Sequence, residues 1–316
     1  MTGPRIVTFD EIRQALAFDR LIPALAEGFR QFRRGQAIVA PVTNIDLPHV
    51  NGEMHIKPGY LRNGDWLCVK IATCYYDNPK RGLPTRDGAL ILADLRNGRI
   101  EAVLCDAGLV TDMRTAGASA VAVDALARAG TISLGLVGAG TQAFWHAAAL
   151  RAVRTIGEVR VWGRHPDRAR AAVERLQREL GLSATLAALD ETVDADVVVT
   201  ATPARAPLLD QQRLRSGSMI VAMGADAIGK RELGPAIMEQ VALVVPDSLG
   251  QCERLGELQW LPEPRSTRVA ELGAVLTGEA AGRKRPDEII VFDSTGVAFQ
   301  DVVGAAEVLR AARPTA

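Results

Sequence analysis

The segment that decides the fold is LGLVGAGTQAFWHAAAL, residues 134–150, where an apolar run leads into a glycine-rich turn and then into an alanine-rich stretch. Gly138, Gly140 and Ala143 have the G-x-G-x-x-A spacing between a predicted strand and a predicted helix. The first glycine permits a tight turn, the second lets a pyrophosphate approach the backbone, and the alanine lets the helix lie close to the strand. Since the helix N-terminus also attracts an anion, the spacing predicts the phosphate-binding turn of a dinucleotide-binding domain. Its predicted cofactor-binding residues are Gly138, Ala139, Gly140, Thr141 and Gln142.

The sequence that follows this turn alternates short apolar runs with helical segments. The runs are EVRVWG, DADVVVTA, SMIVAMG and VALVVPD. Continuous apolar strands separated by helices are typical of a parallel sheet that is covered on both faces. A glycine-rich turn alone also occurs in unrelated α/β proteins, and this repeated pattern argues against that interpretation. We therefore predict an α/β fold with a doubly wound parallel sheet of the Rossmann type.

The N-terminal third has a different pattern, which predicts an α+β domain. Thr8 and Glu11 have the spacing of a capping box before a helical stretch. A second helical stretch ends at Gly35. In ALILADLRNGRIEAVLCD, two apolar runs flank Asn97-Gly98, which predicts a β-hairpin with a type I′ turn. The segment TDMRTAGASAVAVDALARAG is predicted to be an alanine-rich helix.

The length and the C-terminal pattern predict two domains. At ~150 residues per domain, a chain of 316 residues is long enough for two. The segment EIIVFDSTGVAFQDVVGAAEVLRAA indicates a strand, a turn and a helix, and this helix could return to the first domain. We therefore predict a discontinuous substrate-binding and dimerisation domain, residues 1–118 with 297–316, and a Rossmann domain, residues 119–296.

The composition excludes several classes of function. Hydrophobic residues make up 48% and charged residues 23%, which is typical of globular proteins, and the net charge is zero. A neutral chain has no general attraction to nucleic acid or to an anionic membrane. The four cysteines include no C-x-x-C pair, so no metal site is predicted. No apolar run reaches the ~18 residues of a membrane helix, and no signal pattern is present, so we expect a cytoplasmic protein.

The end of the run EVRVWG bears on the choice of cofactor. An acidic residue at this point bonds the ribose 2′-hydroxyl of NAD, whereas an arginine accommodates the 2′-phosphate of NADP. Here Gly163 stands in place of the acid, and Arg164 and His165 follow it. Asp167 lies inside the next predicted helix, too late for the ribose contact, although Arg164 could also be a solvated loop residue. The sequence favours NADP(H) as the cofactor and leaves NAD(H) open.

Five ordered blocks extend the interpretation to nearly the whole chain. They are GLPTRDGALILADLRNGRIEAVLCD, TDMRTAGASAVAVDALAR, GLVGAGTQA, MGADAIGKREL and FDSTGVAFQD. Their order and spacing resemble the ornithine cyclodeaminase/μ-crystallin family. The resemblance implies an N-terminal substrate and dimerisation domain, a Rossmann domain and a homodimer. It also implies that amino and imino acids are interconverted through a nicotinamide cofactor.

The resemblance implies roles for three charged residues. Arg114 is implied to clamp a substrate carboxylate and also to contact the cofactor. The alternatives are a helix cap or a pair with Asp112. Lys70, at the predicted end of the strand GDWLCVK, is implied to be a substrate ligand and a proton donor. It can donate a proton because a lysine beside an arginine can have a lowered pKa. The alternative is an exposed strand-end lysine. Asp226, in the loop after SMIVAMG, becomes a substrate ligand and an acid or base, or alternatively a cap for a helix at GKREL.

Further positions match residues that the family uses around its ligands. For the cofactor they are Thr85, Thr115, Thr202, Met223, Gly224, Lys230 and Ser294. For the substrate they are Thr43, His55 and Thr295.

One departure from the family affects the expected reaction. Ornithine cyclodeaminases carry an arginine where this chain has Thr43, and its loss removes a charge-assisted contact of ~1.5–3 kcal/mol. His55 or Lys57 could replace it, for a differently placed or a second acidic group. Three functions stay open: an NAD(P)H-dependent imino acid reductase or amino acid dehydrogenase, an ornithine cyclodeaminase, and an NADP(H)-binding protein without turnover. The departure at Thr43 favours the first, and the retained Lys70, Arg114 and Asp226 argue against the last.

Overall fold

The computed structural model describes residues 3–261 and 267–312. The chain forms two compact units. Unit 1 comprises Met1–Thr115 and Val297–Ala316, and unit 2 comprises Ala116–Gly296. The last helix of the chain therefore belongs to the same unit as the N-terminal third. The assignment of substrate binding to one unit and cofactor binding to the other stays a prediction.

The strands of the described residues are, in chain order, β1 (Arg5–Val7), β2 (Ala37–Val39), β3 (Thr43–Leu47), β4 (Gly52–Leu61), β5 (Trp66–Tyr75), β6 (Arg86–Asp94), β7 (Ile100–Leu104), β8 (Ile132–Val137), β9 (Ile156–Trp162), β10 (Ala184–Leu186), β11 (Val197–Thr200), β12 (Arg205–Leu209), β13 (Met219–Ala222), β14 (Arg231–Leu233), β15 (Leu243–Pro246), β16 (Arg268–Val269) and β17 (Ile290–Asp293). The helices are α1 (Phe9–Ala15), α2 (Phe18–Arg33), α3 (Leu109–Leu126), α4 (Thr141–Leu150), α5 (Pro166–Leu180), α6 (Leu189–Val193), α7 (Pro235–Met238), α8 (Leu249–Leu255), α9 (Leu272–Leu276) and α10 (Ala298–Ala311). Short 3-10 helices lie at Pro48–Val50, Asn78–Arg81 and Glu257–Trp260.

Unit 1 is built around a seven-stranded sheet in the order β1-β7-β6-β5-β4-β2, with β3 paired to β4. The pairs are antiparallel except β1 with β7, which is parallel. Helix α10 lies against β4, β5 and α2, where the rings of Phe29 and Phe299 meet edge to face with centroids 5.0 Å apart. A Cβ atom at Gly28 would lie 3.0 Å from the Phe299 ring, so this glycine lets the two helices approach closely. Helix α10 thereby covers one face of the sheet.

The two faces of this sheet differ in burial because side chains alternate along a strand. On β5, Cys68 and Lys70 are buried on the face that α10 covers. Val69 and Ile71 lie on the opposite face and are only partly buried. Unit 1 therefore has one covered face, which carries polar groups, and one face whose apolar side chains are only partly covered.

Unit 2 contains an eight-stranded parallel sheet in the order β10-β9-β8-β11-β13-β17-β15-β16. Its first five strands along the chain follow the 3-2-1-4-5 order of the Rossmann fold, and the order reverses between β8 and β11. Strands β8, β11, β13, β15 and β17 are buried along their whole length, as strands covered on both faces must be. The predicted α/β class, a doubly wound Rossmann sheet with an additional α+β domain, is confirmed.

Two local predictions for unit 1 have different outcomes. The capping box is confirmed, because Thr8 Oγ1 accepts a hydrogen bond from Glu11 N–H at 3.4 Å and Glu11 Oε2 accepts one from Thr8 N–H at 2.8 Å. The hairpin of β6 and β7 is confirmed, but its predicted type I′ turn is wrong. A five-residue loop joins the strands, and Gly98 has a positive φ (73°) while Asn97 does not, whereas a type I′ turn needs both. The Asp94 carboxylate accepts hydrogen bonds from groups within the loop, which stabilises the longer connection.

Candidate active site

Lys70 lies in the middle of β5 and only 4% of its surface is exposed. The prediction that it ends a strand is wrong, because pairing with β4 and β6 continues β5 to Tyr75. Its ammonium group lies 2.8 Å from Asp301 Oδ2 and donates a hydrogen bond to Thr111 Oγ1 at 3.2 Å. Lys57 stands directly opposite on β4. Lys70 is therefore a buried and paired cation, not an exposed strand-end lysine.

Arg114 lies in the first half of α3 and is 5% exposed. Its Nε donates a hydrogen bond to Asp301 Oδ1 at 2.9 Å, and its Nη1 donates one to Gln300 Oε1 at 2.7 Å. The alternative pairing with Asp112 is wrong, since Asp112 forms its ion pair with Arg86 at 3.2 Å. Arg114 is thus fixed by the last helix of the chain.

Asp301, on α10, bridges Lys70 and Arg114. Gly304 follows it by one helical turn, and a Cβ atom there would lie 2.8 Å from Val110 Cγ1. This glycine therefore lets α10 lie close to α3, which brings the aspartate to the arginine. The sequence analysis missed Asp301, although an acidic residue within the apolar run VAFQDVVGAA is a pattern that could have revealed it.

The two cations and the carboxylate influence one another's ionisation. Burial lowers the pKa of Lys70 to about 8; the Asp301 charge opposes this, and the charges of Arg114 and Lys57 add to it. Burial alone would raise the pKa of Asp301, but the charges of Arg114 and Lys70 hold it below the usual value. The cluster therefore holds an anionic carboxylate between two cations, one of which can lose its proton near neutral pH. Such a group can transfer a proton.

Two predicted substrate ligands lie on the neighbouring strands of unit 1. Thr43 begins β3 and is exposed. His55, on β4, has Nδ1 2.6 Å from Asn44 Oδ1 and Nε2 3.5 Å from Glu53 Oε1. His55 and Lys57 are two residues apart on one strand, so they share the face of the sheet that carries Lys70. The Thr43 hydroxyl carries no charge that could replace the arginine of cyclodeaminases.

The predicted cofactor residues of unit 1 are two threonines. Thr85 precedes β6, and its carbonyl oxygen accepts a hydrogen bond from Tyr75 N–H at 2.7 Å. Thr115 follows Arg114 on α3 and is partly buried.

The glycine-rich turn joins β8 to α4 as predicted. Gly138 has a φ of 115°, and a Cβ atom there would lie 2.8 Å from the carbonyl oxygen of Ala201, so only glycine fits. At Gly140 an added Cβ atom would have nothing within 4 Å, so the turn borders open space. Gly140 is the N-cap of α4 and no side chain caps it, which leaves this ten-residue helix a favourable anion site. The turn, which Ala139, Thr141 and Gln142 complete, therefore fits the pyrophosphate of a dinucleotide.

Strand β9 ends beside this turn. The carbonyl oxygen of Trp162 accepts a hydrogen bond from Gly138 N–H at 2.8 Å. A Cβ atom at Gly163 would lie 3.1 Å from Ala139 Cβ, so a side chain at this position would be crowded against the turn. A side chain at this position would therefore require the Ala139 methyl group to shift by a few tenths of an ångström.

The residues after Gly163 are exposed. Arg164 is followed by His165, which is the N-cap residue of α5. Asp167 is the second residue of α5, and it forms an ion pair with Arg170 at 2.8 Å. The basic residues therefore stand nearer to the end of β9 than the acidic one.

Asp226 lies in the loop after β13, at the carboxyl edge of the parallel sheet, with 49% of its side chain exposed. Its Oδ1 forms an ion pair with Lys230 Nζ at 2.5 Å, so the fold brings these two predicted residues together. The alternative role as a helix cap is wrong, because GKREL leads into β14 and not into a helix.

The loops after β11 and β13 carry three predicted cofactor residues. The backbone N–H and the hydroxyl of Thr202 each donate a hydrogen bond to Glu232 Oε1 at 2.7 Å. Gly224 N–H donates one to Glu232 Oε2 at 2.8 Å. Met223 Sδ accepts a hydrogen bond from Ser119 Oγ at 3.4 Å. Glu232, which the sequence analysis missed, thus joins the two loops.

The residues after β17 are buried and hydrogen-bonded. Ser294 Oγ donates to Asp247 Oδ2 at 2.7 Å, and Thr295 Oγ1 donates to Asp247 Oδ1 at 3.4 Å. Gln251 Nε2 donates to Thr295 Oγ1 at 3.3 Å. The Asp247 carboxylate therefore fixes the loop that carries both predicted residues.

Nearly the whole chain is similar to known proteins. It matches the ornithine cyclodeaminase/mu-crystallin family over residues 4–314. The chain belongs to this family. An alanine dehydrogenase of Archaeoglobus fulgidus is 34% identical to it over 301 residues, which cover 94% of this chain and 91% of that protein.

Solved structures of the ornithine cyclodeaminase/mu-crystallin family are similar over almost the full length. An archaeal alanine dehydrogenase dimer with bound NAD has a TM-score of 0.90 and 32% identity, covering 98% of this chain and 96% of that chain. The iminosuccinate reductase of Paracoccus denitrificans in complex with NAD⁺ has a TM-score of 0.89 and 30% identity, covering 98% of this chain and 97% of that chain. The relatives are thus a dehydrogenase and a reductase of amino or imino acids, in a family that is also named for a cyclodeaminase.

Residues 3–261 and 267–312 lack two features. No helix there is long and apolar enough to cross a membrane. No group of three or more His, Cys, Asp or Glu side chains there is arranged to hold a metal ion.

Proposed function

We propose that the chain is an NAD(P)H-dependent imino acid reductase, which acts as an L-amino acid dehydrogenase in the reverse direction. The observation that carries the proposal is the buried cluster of Lys70, Asp301 and Arg114 in a member of this family. While Lys70 is protonated, the three groups together carry one excess positive charge, which suits a single substrate carboxylate. The same cluster contains a lysine that can exchange a proton near neutral pH.

Arg114 is proposed to hold the substrate carboxylate. Its contacts with Asp301 and Gln300 engage Nε and Nη1. A guanidinium has five N–H donors in a planar fork, so it can bind a carboxylate while these contacts persist. Because Asp301 and Gln300 fix the side chain before the ligand arrives, little conformational entropy is lost on binding.

Lys70 is proposed to supply the proton at the substrate nitrogen. It is buried, and its pKa of about 8 places the exchange of its proton near physiological pH. Asp226 is the alternative acid or base, because loops at the carboxyl edge of a doubly wound sheet are where such sheets bind ligands. Its exposed carboxylate is paired with Lys230, so we assign the main proton transfer to Lys70.

The cofactor is proposed to bind at the glycine-rich turn and at the loops after β11, β13 and β17. The turn fits a pyrophosphate, as the open space at Gly140 and the uncapped α4 indicate. A nicotinamide cofactor supplies or accepts the hydride that moves at the α-carbon. NADP(H) is proposed as the preferred form, because Arg164 and His165 follow a glycine at the end of β9. Since the two relatives contain bound NAD, the preference for NADP(H) is to be measured by comparing both cofactors.

Arg164→Ser is expected to raise the KM for NADPH by about tenfold to a hundredfold and to leave the KM for NADH nearly unchanged. The reason is the loss of a charge-assisted bond to the 2′-phosphate, worth ~1.5–3 kcal/mol. Steady-state kinetics with each cofactor measures the effect. Arg170→Ser is the matched control, since Arg170 is exposed on α5, shortly after Arg164 in the chain, and is paired with Asp167. Equal losses with both cofactors would contradict the assignment of Arg164.

A homodimer is proposed to form through the open face of the unit 1 sheet. Cross-strand pairing places Val69, Ile91, Val103 and Ile6 side by side on this face, and Ile6 is 57% exposed. Further apolar residues of the same face are Met54, Ile56, Leu67, Ile71 and Ala89. An apolar face of this extent is typical of a protein interface. The dimer of the archaeal relative supports the same conclusion.

Ile71→Asp is expected to convert the dimer to a monomer at micromolar concentration. A carboxylate at the centre of an apolar interface costs several kcal/mol, so the dimer should weaken by about 10³-fold or more. Sedimentation velocity over a dilution series measures the change. Leu186→Asp, at an exposed apolar position in unit 2, serves as the control and should remain dimeric. A monomeric wild type, or a dimeric Ile71→Asp, would refute the proposed interface.

The function itself is tested by mixing the protein with NADPH, or separately with NADH, and a panel of imino acids. The panel contains cyclic ketimines and 2-oxo acids with ammonia, and a parallel reaction contains L-ornithine with NAD(P)⁺. Stoichiometric loss of reduced nicotinamide with an imino acid is the expected result. Formation of proline and ammonia without net cofactor change would assign a cyclodeaminase instead. Cofactor binding without any turnover would assign a binding protein.

A further inference from the structure

Four buried carboxyl groups lie along the carboxyl edge of the Rossmann sheet, and the proposed reaction uses none of them. They are Glu232, Glu257, Asp293 and Asp247, each no more than 1% exposed. Within residues 3–261 and 267–312, none of them forms an ion pair with a lysine, an arginine or a histidine. Burying a carboxyl group without a cation is costly. A protein that keeps four of them at one edge is expected to do so for a functional reason.

The four groups form a connected series through backbone hydrogen bonds. Glu257 accepts hydrogen bonds from the backbone N–H of Glu232 at 2.7 Å and of Leu233 at 3.3 Å. Asp293 in turn accepts from the N–H of Glu257 and of Leu258, both at 3.0 Å. Each carboxyl group therefore fixes the backbone of the segment that carries the next one.

The series ends at the loop after β17. The N–H of Asp247 donates a hydrogen bond to the carbonyl oxygen of Asp293 at 2.9 Å. The Asp247 carboxylate accepts from Ser294 Oγ at 2.7 Å and from Gly296 N–H at 2.8 Å. Burial raises the pKa of Glu257 to about 8 and that of Asp293 to about 7, as expected for carboxyl groups with neutral donors only.

At its other end the series reaches the loops that are proposed to hold the cofactor. The Glu232 carboxylate accepts four hydrogen bonds, from Thr200 Oγ1 at 2.6 Å, from Thr202 N–H and Oγ1 at 2.7 Å each, and from Gly224 N–H at 2.8 Å. Gly224 has no room for a side chain, because a Cβ atom would lie 2.4 Å from the Glu232 carboxyl carbon. The loop after β11 also touches the phosphate turn, since a Cβ atom at Gly138 would lie 2.8 Å from the oxygen of Ala201.

We propose that these four carboxyl groups are a positioning series for the cofactor, and that Glu232 sets cofactor affinity by fixing the loops after β11 and β13 against the phosphate turn. The inference rests on the proposed function, because it takes these loops to be the cofactor site. Glu232 touches no reacting atom in this scheme and acts through Thr202 and Gly224. Its loss is therefore expected to weaken the binding of NADPH more than the binding of the imino acid.

The test measures the Kd of NADPH for the full chain by fluorescence titration, and then the KM for an imino acid at saturating NADPH. Glu232→Gln keeps the shape of the side chain but replaces one accepting oxygen with an NH2 group, which would face hydrogen-bond donors. It is expected to raise the Kd of NADPH by about tenfold or more. The KM for the imino acid should change by less than about threefold. Glu239→Gln, the same change at an exposed position nearby, is the control and should leave both unchanged.

Thr200→Val provides a second variant that leaves the carboxylate in place and removes one of its donors. It is expected to raise the Kd of NADPH by about threefold, with secondary structure and melting temperature close to the wild type. An unchanged Kd in a folded Glu232→Gln, or in Thr200→Val should Glu232→Gln fail to fold, would overturn the inference while the proposed function stands. A wild type that binds neither NADPH nor NADH would overturn both.

Discussion

Lys70→Met is expected to lower kcat/KM for imine reduction by about 10²- to 10⁴-fold, the usual contribution of a positioned acid or base. Lys70 is buried with a pKa of about 8, so it carries its proton below that pH and loses it above. In the wild type, the rate of reduction should therefore stay level up to about pH 8 and fall at higher pH. In Lys70→Met this fall should disappear. Stopped-flow or steady-state rates between pH 6 and pH 10 measure both effects, with the pH range set by about two units on each side of the pKa.

Two control variants separate the proton from the charge. Lys70→Arg keeps a cation beside Asp301 but cannot release a proton in this pH range, so it should retain substrate binding better than Lys70→Met and still lose the pH-dependent limb. Lys80→Met makes the same substitution at an exposed lysine of unit 1 and should have no effect. If Lys70→Met kept both the wild-type rate and the wild-type pH profile, Lys70 would not be the proton donor, and Asp226 would be assigned that role.

The parts of the fold that could be predicted from the sequence are those determined by local contacts. The turn at Gly138 depends on residues within one β-turn-helix unit, and the G-x-G-x-x-A spacing was enough to identify it. The capping box at Thr8 is equally local. The prediction of a type I′ turn was wrong although it concerned only a few residues. The Asp94 carboxylate accepts hydrogen bonds from its own loop, and the alternation of apolar residues in the strands does not reveal this interaction.

The parts that could not be predicted depend on contacts between distant segments. Lys70 was predicted to end the strand GDWLCVK, whereas the strand continues beyond it and α10 supplies its buried partner Asp301 from the far end of the chain. Glu232 was missed for a related reason. It lies in a short strand of no distinctive pattern outside the eight-stranded sheet, and its role comes from the ends of β11 and β13, which belong to that sheet. The partner of a buried charge cannot be read from local sequence when a distant segment of the chain supplies it.

This dependence makes Asp301 the most consequential residue that the sequence analysis missed. It is 1% exposed and is the carboxylate that joins Lys70 to Arg114. Asp301→Asn keeps the size of the side chain and leaves two buried cations without their anion. Breaking a buried ion pair in this way is expected to reduce the free energy of unfolding by about 3–5 kcal/mol. Urea denaturation measures the loss, and Glu307→Gln, on the same helix but paired with a half-exposed Arg310, should lose no more than about 1 kcal/mol.

The same variant should shift the pH dependence of catalysis, which general destabilisation would not do. The negative charge of Asp301 raises the pKa of Lys70, while burial and the Arg114 charge lower it. Removing the negative charge should therefore bring the pKa of Lys70 below about 8, and the fall in reduction rate should begin at a lower pH. Substrate binding should weaken as well, because Arg114 loses the charged partner that orients it together with Gln300. If Asp301→Asn lost stability but kept the wild-type pH profile, Asp301 would support the fold without tuning Lys70.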